Sequence, residues 1–313
     1  TPPFVRFRRT HRAQASMGSV QKPHVVFVPF PAHGHVAPHL QLARALHARG
    51  FHVTLVHTEL HYRRLQRAKG AEAGAEAAAE ATWFDVEVIP DGLSLEAPPS
   101  TLEGHLDALE RNCRQPFTEL LRALANRPGA PPVSCVVADS PMSFAALAAR
   151  DVGVPDVNFF TASACGLMGY LQFEELVKRG LVPLKGSGYK TDGSLEAPVE
   201  WMPGMKDMRL KDMPTFCHTA DADDALLRIH LQQMRVVASS KAIVINTFHD
   251  IEKDVLDALT AFPAHLHRRP SLHHRSVAPR RLDGRGKPPE GGHGVHGVAG
   301  RERGSFRGLR ELW

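Results

Sequence analysis

Short apolar runs separated by stretches of helical spacing organise the chain from residue 24 to about residue 260. Residues 24–30, HVVFVPF, form a nearly unbroken β-branched run of the kind a strand buried on both faces requires. A turn of Pro-Ala-His-Gly-His follows. Beyond it Val36, Leu40 and Ala43, flanked by Leu42 and Leu46, recur at helical spacing, and Gly50 supplies a C-terminal stop. Similar runs predict strands over 52–58, 84–90, 134–139, 157–161 and 242–247, with helical segments between most of them. Strands alternating with helices predict an α/β fold, a Rossmann-like doubly wound parallel sheet.

Two stretches depart from this rhythm. Residues 71–82, AEAGAEAAAEAT, are Ala/Glu-biased and read as a helical or mobile surface insertion. Residues 185–220 carry GSG, DG and PG with further prolines, a long irregular excursion of the kind that shapes pockets. No apolar run is long enough to span a bilayer.

Charge separates the body of the chain from its ends. The formal net charge is +5, but residues 1–16 hold four arginines and no acid, and residues 264–313 hold eleven basic side chains against four acidic ones. Residues 17–263 are therefore net negative, which disfavours a nucleic-acid surface there. The segment before Met17 is expected to be a non-native leader, either upstream translated sequence, the favoured reading, or an organelle transit peptide. After Pro263 apolar periodicity vanishes, and the His-, Arg-, Gly- and Pro-rich tail 264–313 is expected to be disordered. Its histidines match no compact zinc spacing, so no metal site is expected. Cys113, Cys135, Cys165 and Cys217 form no CxxC pair and read as free thiols of a cytoplasmic protein.

In open parallel sheets ligands bind beyond the carboxyl ends of the strands, which directs attention to the loop 31–38 and to Asp139. His35 lies just past the first predicted strand, and Asp139 closes the apolar run beginning at Ser134. Both therefore belong to one sheet edge. A neutral imidazole suits proton abstraction near neutral pH, and a carboxylate behind it fixes the tautomer and stabilises the imidazolium. Each residue also has a plainer reading: His35 as a surface or helix-capping residue, Asp139 as the N-cap of the helix after Ser140-Pro141. Glu59 ends the second strand where a dinucleotide fold places its ribose-binding acid, but PAHGHVAPH has one glycine and no GxGxxG, so NAD binding is not expected.

The segments PFPAHGHVAPHLQLARAL, CVVADSPMSFAALAARDVGVPDVNFFTASACGLMGYLQFEEL and INTFHDIEKDVLDAL, in unbroken order over roughly 17–262, resemble plant family 1 UDP-dependent glycosyltransferases, most of all the cyanohydrin glucosyltransferase subgroup. The resemblance implies the N-terminal, acceptor-binding half of a GT-B fold over 17–263. It also implies inverting transfer of a sugar, usually glucose, from a UDP-sugar co-substrate to a small lipophilic hydroxyl-bearing acceptor. By resemblance His35 matches the catalytic base and Asp139 its orienting acid. His33 stands where the family commonly has Gln, and with Phe160 and Tyr170 it is expected to line the acceptor pocket, the last two being equally readable as core. The donor-binding signature is absent, so no cofactor or UDP-sugar is expected to bind and the chain alone is expected to be inactive. Reading the tail one base later permits stretches that resemble the family's interdomain linker and first donor-domain strand, and a frameshift near Pro263 is inferred. Two other readings stay open: a catalytically dead acceptor-binding module, weakly paired with an intact relative, and a non-functional truncated product.

Overall fold

The computed structural model describes residues 22–71, 83–261 and 271–275. Their strands are β1 (His24–Val28), β2 (His52–Thr58), β3 (Asp85–Ile89), β4 (Val133–Asp139), β5 (Asp156–Phe160), β6 (Ala242–Thr247) and β7 (Ser271–Arg275). They form one sheet in the order β3-β2-β1-β4-β5-β6-β7, with every neighbouring pair parallel. The chain builds outward from β1 through β2 to β3, then returns to the other side of β1 with β4. The strand order therefore reverses between β1 and β4. In open parallel sheets, connections leaving the strands on either side of such a reversal diverge, and ligands bind above the carboxyl ends there.

The helices are α1 (His33–His47), α2 (Glu59–Ala71), α3 (Leu102–Asn112), α4 (Arg114–Ala125), α5 (Ser143–Asp151), α6 (Ala164–Leu171), α7 (Phe173–Lys178), α8 (Ala225–Ala238) and α9 (His249–Ala261). Alternation along β1 supplies both faces of the sheet. Val25 and Phe27 pack with Leu42 and Leu46 of α1, whereas Val26 and Val28 pack with Leu109 of α3, Phe117 of α4 and Phe144 of α5. Burying a side chain such as Phe27 contributes about 1.5–3 kcal/mol. Within α1 the buried positions are His39, Leu42, Ala43 and Leu46, while Val36 and Leu40, expected on the core face, are only partly covered. The helix stops at Ala48, and Gly50, at φ +88°, makes the reversal into β2.

A third apolar cluster joins α6, α7, α8 and α9 to the excursion expected over 185–220. That segment consists of short 3-10 turns and a single bridge between Pro198 and Arg209. Gly204 sits where it comes against α9: at φ +73°, a Cβ there would lie 2.6 Å from the carbonyl oxygen of Asp254. Glu252 of α9 makes a second tie, accepting hydrogen bonds from the Ala164 and Cys165 amides at the start of α6, at 2.9 and 2.8 Å, and from the Thr247 hydroxyl.

Within the segment 264–313, Ser271–Arg275 is a strand in register with β6, from Ile243↔Ser271 to Thr247↔Arg275. A strand added at a sheet edge is held by backbone hydrogen bonds to its neighbour, so it needs no apolar alternation of its own. The rest of that tail, the leader 1–16 and the insertion 72–82 lie outside the described residues. Among the described residues, no helix is long and apolar enough to cross a membrane.

Candidate active site

The end of β1 lies beside the end of β4, with Val28 paired to Ala138, so the residues that follow converge above the switch point. Asp139 terminates β4 with its carboxylate turned toward the β1 connection. Its Oδ2 accepts the Phe30 amide at 3.0 Å and the His35 Nδ1–H at 2.8 Å. His35 occupies the first turn of α1, where its own amide donates to the Ala32 carbonyl at 2.9 Å. Its side chain is 31% exposed and that of Asp139 only 1%. A carboxylate can only accept, so the proton resides on Nδ1. Nε2 is left with a free lone pair on the opposite side of the ring. The Thr161 hydroxyl oxygen, 3.0 Å from Nδ1, is a second acceptor.

The plainer reading of Asp139 does not hold. The N-cap position of α5 is Met142, which makes no side-chain cap, and only the backbone carbonyl of Asp139 takes part, accepting the Met142 amide at 2.9 Å. The carboxylate serves Phe30 and His35 instead. Its Oδ1 is buried and has no hydrogen-bond partner among the described residues.

His39, one turn beyond His35, is fully buried. Its Nδ1–H donates to the His35 carbonyl at 2.8 Å, and its ring lies edge-on to Phe27 and Phe159. Burial pushes its pKa down, which keeps it neutral although Asp139 is 3.9 Å away. It therefore leaves the carboxylate's charge available to His35.

A model of the family "Glycosyltransferase, N-terminal domain" matches residues 21–179, just over half of the chain. The chain belongs to this glycosyltransferase family. The (R)-mandelonitrile beta-glucosyltransferase of Prunus dulcis is 42% identical over 252 residues, covering 78% of this chain and 50% of the relative. Linamarin synthase 1 of Manihot esculenta is 40% identical over 250 residues, covering 78% and 51%. The chain thus spans about half the length of the curated relatives it matches. A Polygonum tinctorium UDP-glucosyltransferase, solved in a complex with 3,4-dichloroaniline, superposes with a TM-score of 0.62 at 19% identity, over 83% of this chain and 54% of the other. A Medicago truncatula protein complexed with UDP-glucose gives a TM-score of 0.58 at 17% identity, over 86% and 54%. The fold is accordingly the Rossmann-like N-terminal half of a GT-B glycosyltransferase.

In this glycosyltransferase domain, of the residues singled out from sequence, the structure brings His35 and Asp139 into direct contact. His33 opens α1 with its side chain exposed. Phe160 is 5% exposed and packs edge-on to Tyr170, which lies against Phe173, Phe216 and His230. Burial raises the Tyr170 pKa to about 12, so the phenol stays neutral. Glu59 pairs with Arg63 one turn along α2, a contact on the helix surface. The four cysteines are free, and burial raises the pKa of Cys113, Cys135 and Cys217 to about 12. Thr161 was not singled out from sequence. It ends the predicted strand 157–161, so the sheet-edge rule that drew attention to Asp139 applies to it equally. Phe30 acts through its amide, which residue type does not reveal.

Proposed function

We propose that this domain binds the hydroxyl-bearing acceptor of a UDP-sugar-dependent transfer and that His35 accepts the acceptor's proton. The observation carrying this reading is the Asp139–His35 hydrogen bond, which leaves Nε2 as a proton acceptor above the strand ends. The acceptor oxygen attacks the anomeric carbon from the face opposite the nucleotide. The bond from that carbon to the phosphate oxygen breaks, its electron pair leaves with the diphosphate, and configuration inverts. The acceptor proton passes to Nε2, and the buried carboxylate of Asp139 stabilises the imidazolium through Nδ1–H.

Relatives named for mandelonitrile and for 7-deoxyloganetin support a small, largely apolar acceptor and glucose as the sugar. His33 is proposed to lie along the acceptor path, with Phe160 and Tyr170 backing it. UDP-sugar contacts are assigned to the half of the relatives that this chain does not span, so turnover is expected only when that half is supplied. The free cysteines suit a reducing, cytoplasmic setting.

Fusion of the chain to the C-terminal half of a relative, assayed for UDP release with an aromatic alcohol, tests the assignment. His35→Ala is expected to cut turnover by about 10²-fold or more while acceptor binding persists. Unchanged turnover would remove His35 from the mechanism.

A further inference from the structure

A second group of titratable side chains lies beside the base, outside the Asp139–His35 pair. Phe30 stands between two imidazoles: the His35 ring contacts it edge-on at 5.3 Å and the His105 ring, from α3, at 5.8 Å. One benzene ring thus spaces His105 from the base. On α2, His61 and Arg64 are one turn apart and share a face. The charge of Arg64 bears on both His61 and His105, and His61 also senses His105, so the three side chains form one neighbourhood. Burial is the main influence lowering both histidines, with the guanidinium acting in the same direction. They stand there as neutral hydrogen-bonding rings around one cation.

Two features of this group lack an internal explanation. The His61 Nε2 is buried and has no hydrogen-bond partner among the described residues. A buried polar atom left this way carries an unrecovered desolvation cost, which a hydrogen bond from a ligand or water offsets. Arg64, exposed on α2, makes no ion pair among the described residues, whereas Arg63 pairs with Glu59 and Arg67 lies 3.9 Å from Glu96. Asp91, whose charge bears on His105, is buried and engaged by the Leu60 and Leu93 amides, at 2.9 and 3.0 Å. Among the described residues, no carboxylate is paired with the guanidinium.

We propose that Arg64, His61 and His105 form an anion subsite of the acceptor crevice, which receives the carboxylate of a hydroxy acid whose hydroxyl lies at His35 Nε2. The proposal rests on the acceptor-binding reading given above and narrows it to acceptors with a carboxylate about one aromatic ring from the reacting hydroxyl. A guanidinium fork matches a carboxylate in a planar, bidentate manner, and neutral imidazole N–H groups donate to its remaining lone pairs. One cation matches one monoanion.

The test is calorimetric titration of the full chain with 4-hydroxybenzoate and with 4-hydroxybenzamide, which share a shape and differ in charge. The acid is expected to bind on the order of tenfold more tightly, the scale of charge-assisted hydrogen bonds partly open to solvent. Arg64→Gln, a change on an exposed helix face, is expected to bring the two ligands to parity. His35→Ala is expected to leave both ligands bound and to preserve the preference. Equal binding by the unaltered chain, or a preference that survives Arg64→Gln, would overturn the subsite and leave the acceptor reading standing. Failure of both ligands to bind would overturn the two together.

Discussion

Asp139→Asn isolates the part of the site that the fold builds most deliberately. The substitution keeps the shape of the side chain and removes its charge. In the native chain one oxygen accepts from Phe30 and His35, at 3.0 and 2.8 Å, while the other has no partner among the described residues. An asparagine carbonyl can take over both hydrogen bonds, each weaker by about 1 kcal/mol once the charge assistance is gone. Its amide group then occupies the unpartnered position, and relief of the buried charge offsets part of the loss. A net destabilisation of about 1–3 kcal/mol follows. The effect on the reaction is separate. A counter-charge about 4 Å away is worth roughly 1 kcal/mol in water and 4 kcal/mol at an effective dielectric of 20. His35 is partly exposed, so a value near 2 kcal/mol applies, equivalent to about thirtyfold in turnover. The assay is kcat and KM of the fused enzyme, beside urea denaturation of the single domain. The loss is expected in kcat, and Asp139→Asn added to His35→Ala is expected to have little further effect, because the two act as one unit. Lost stability with unchanged kcat would refute the orienting role, and so would an undiminished loss in the His35→Ala background.

Two further predictions concern the scaffold. Burial lowers the His24 pKa to about 4, its Nδ1–H donating to the Pro131 carbonyl at 2.9 Å and its Nε2 accepting from the Thr54 hydroxyl at 2.8 Å. An unfolded histidine titrates near 6.5. The unfolded state therefore binds the proton first: the His24 contribution is intact above about pH 6.5 and falls by up to about 3 kcal/mol as pH drops to about 4. Urea midpoints across that range should decline, and His24→Gln should flatten the slope; an identical slope would show that His24 does not titrate in this way. Gly204→Ala would place a methyl group against the Asp254 backbone at a positive φ, and a destabilisation of about 1–3 kcal/mol is expected. An unchanged denaturation midpoint would mean that the excursion does not sit against α9.

Much of this protein is written in one-dimensional patterns. The strands over 24–30, 134–139 and 242–247 are readable because a strand buried between two helical layers must be apolar at almost every position, and the helices because one face alone is buried. Those patterns, with the rule that ligands gather at carboxyl ends of parallel strands, were enough to bring forward His35 and Asp139. They could not decide what Asp139 does. A strand-ending aspartate before Ser140-Pro141 has the same local sequence whether it caps the next helix or reaches across to the neighbouring strand, and only the β1–β4 pairing selects the second. The same limit hid the contact of Thr161 with His35, the β7 pairing carried by backbone groups, and the Glu252 tie between α9 and α6. It also hid the grouping of Arg64, His61 and His105, which belong to two helices and share a neighbourhood only after both have packed. Periodicity records which face of an element is buried and carries no account of what that face meets, so contacts between distant elements emerge only when the sheet order and the packing of its helices are set.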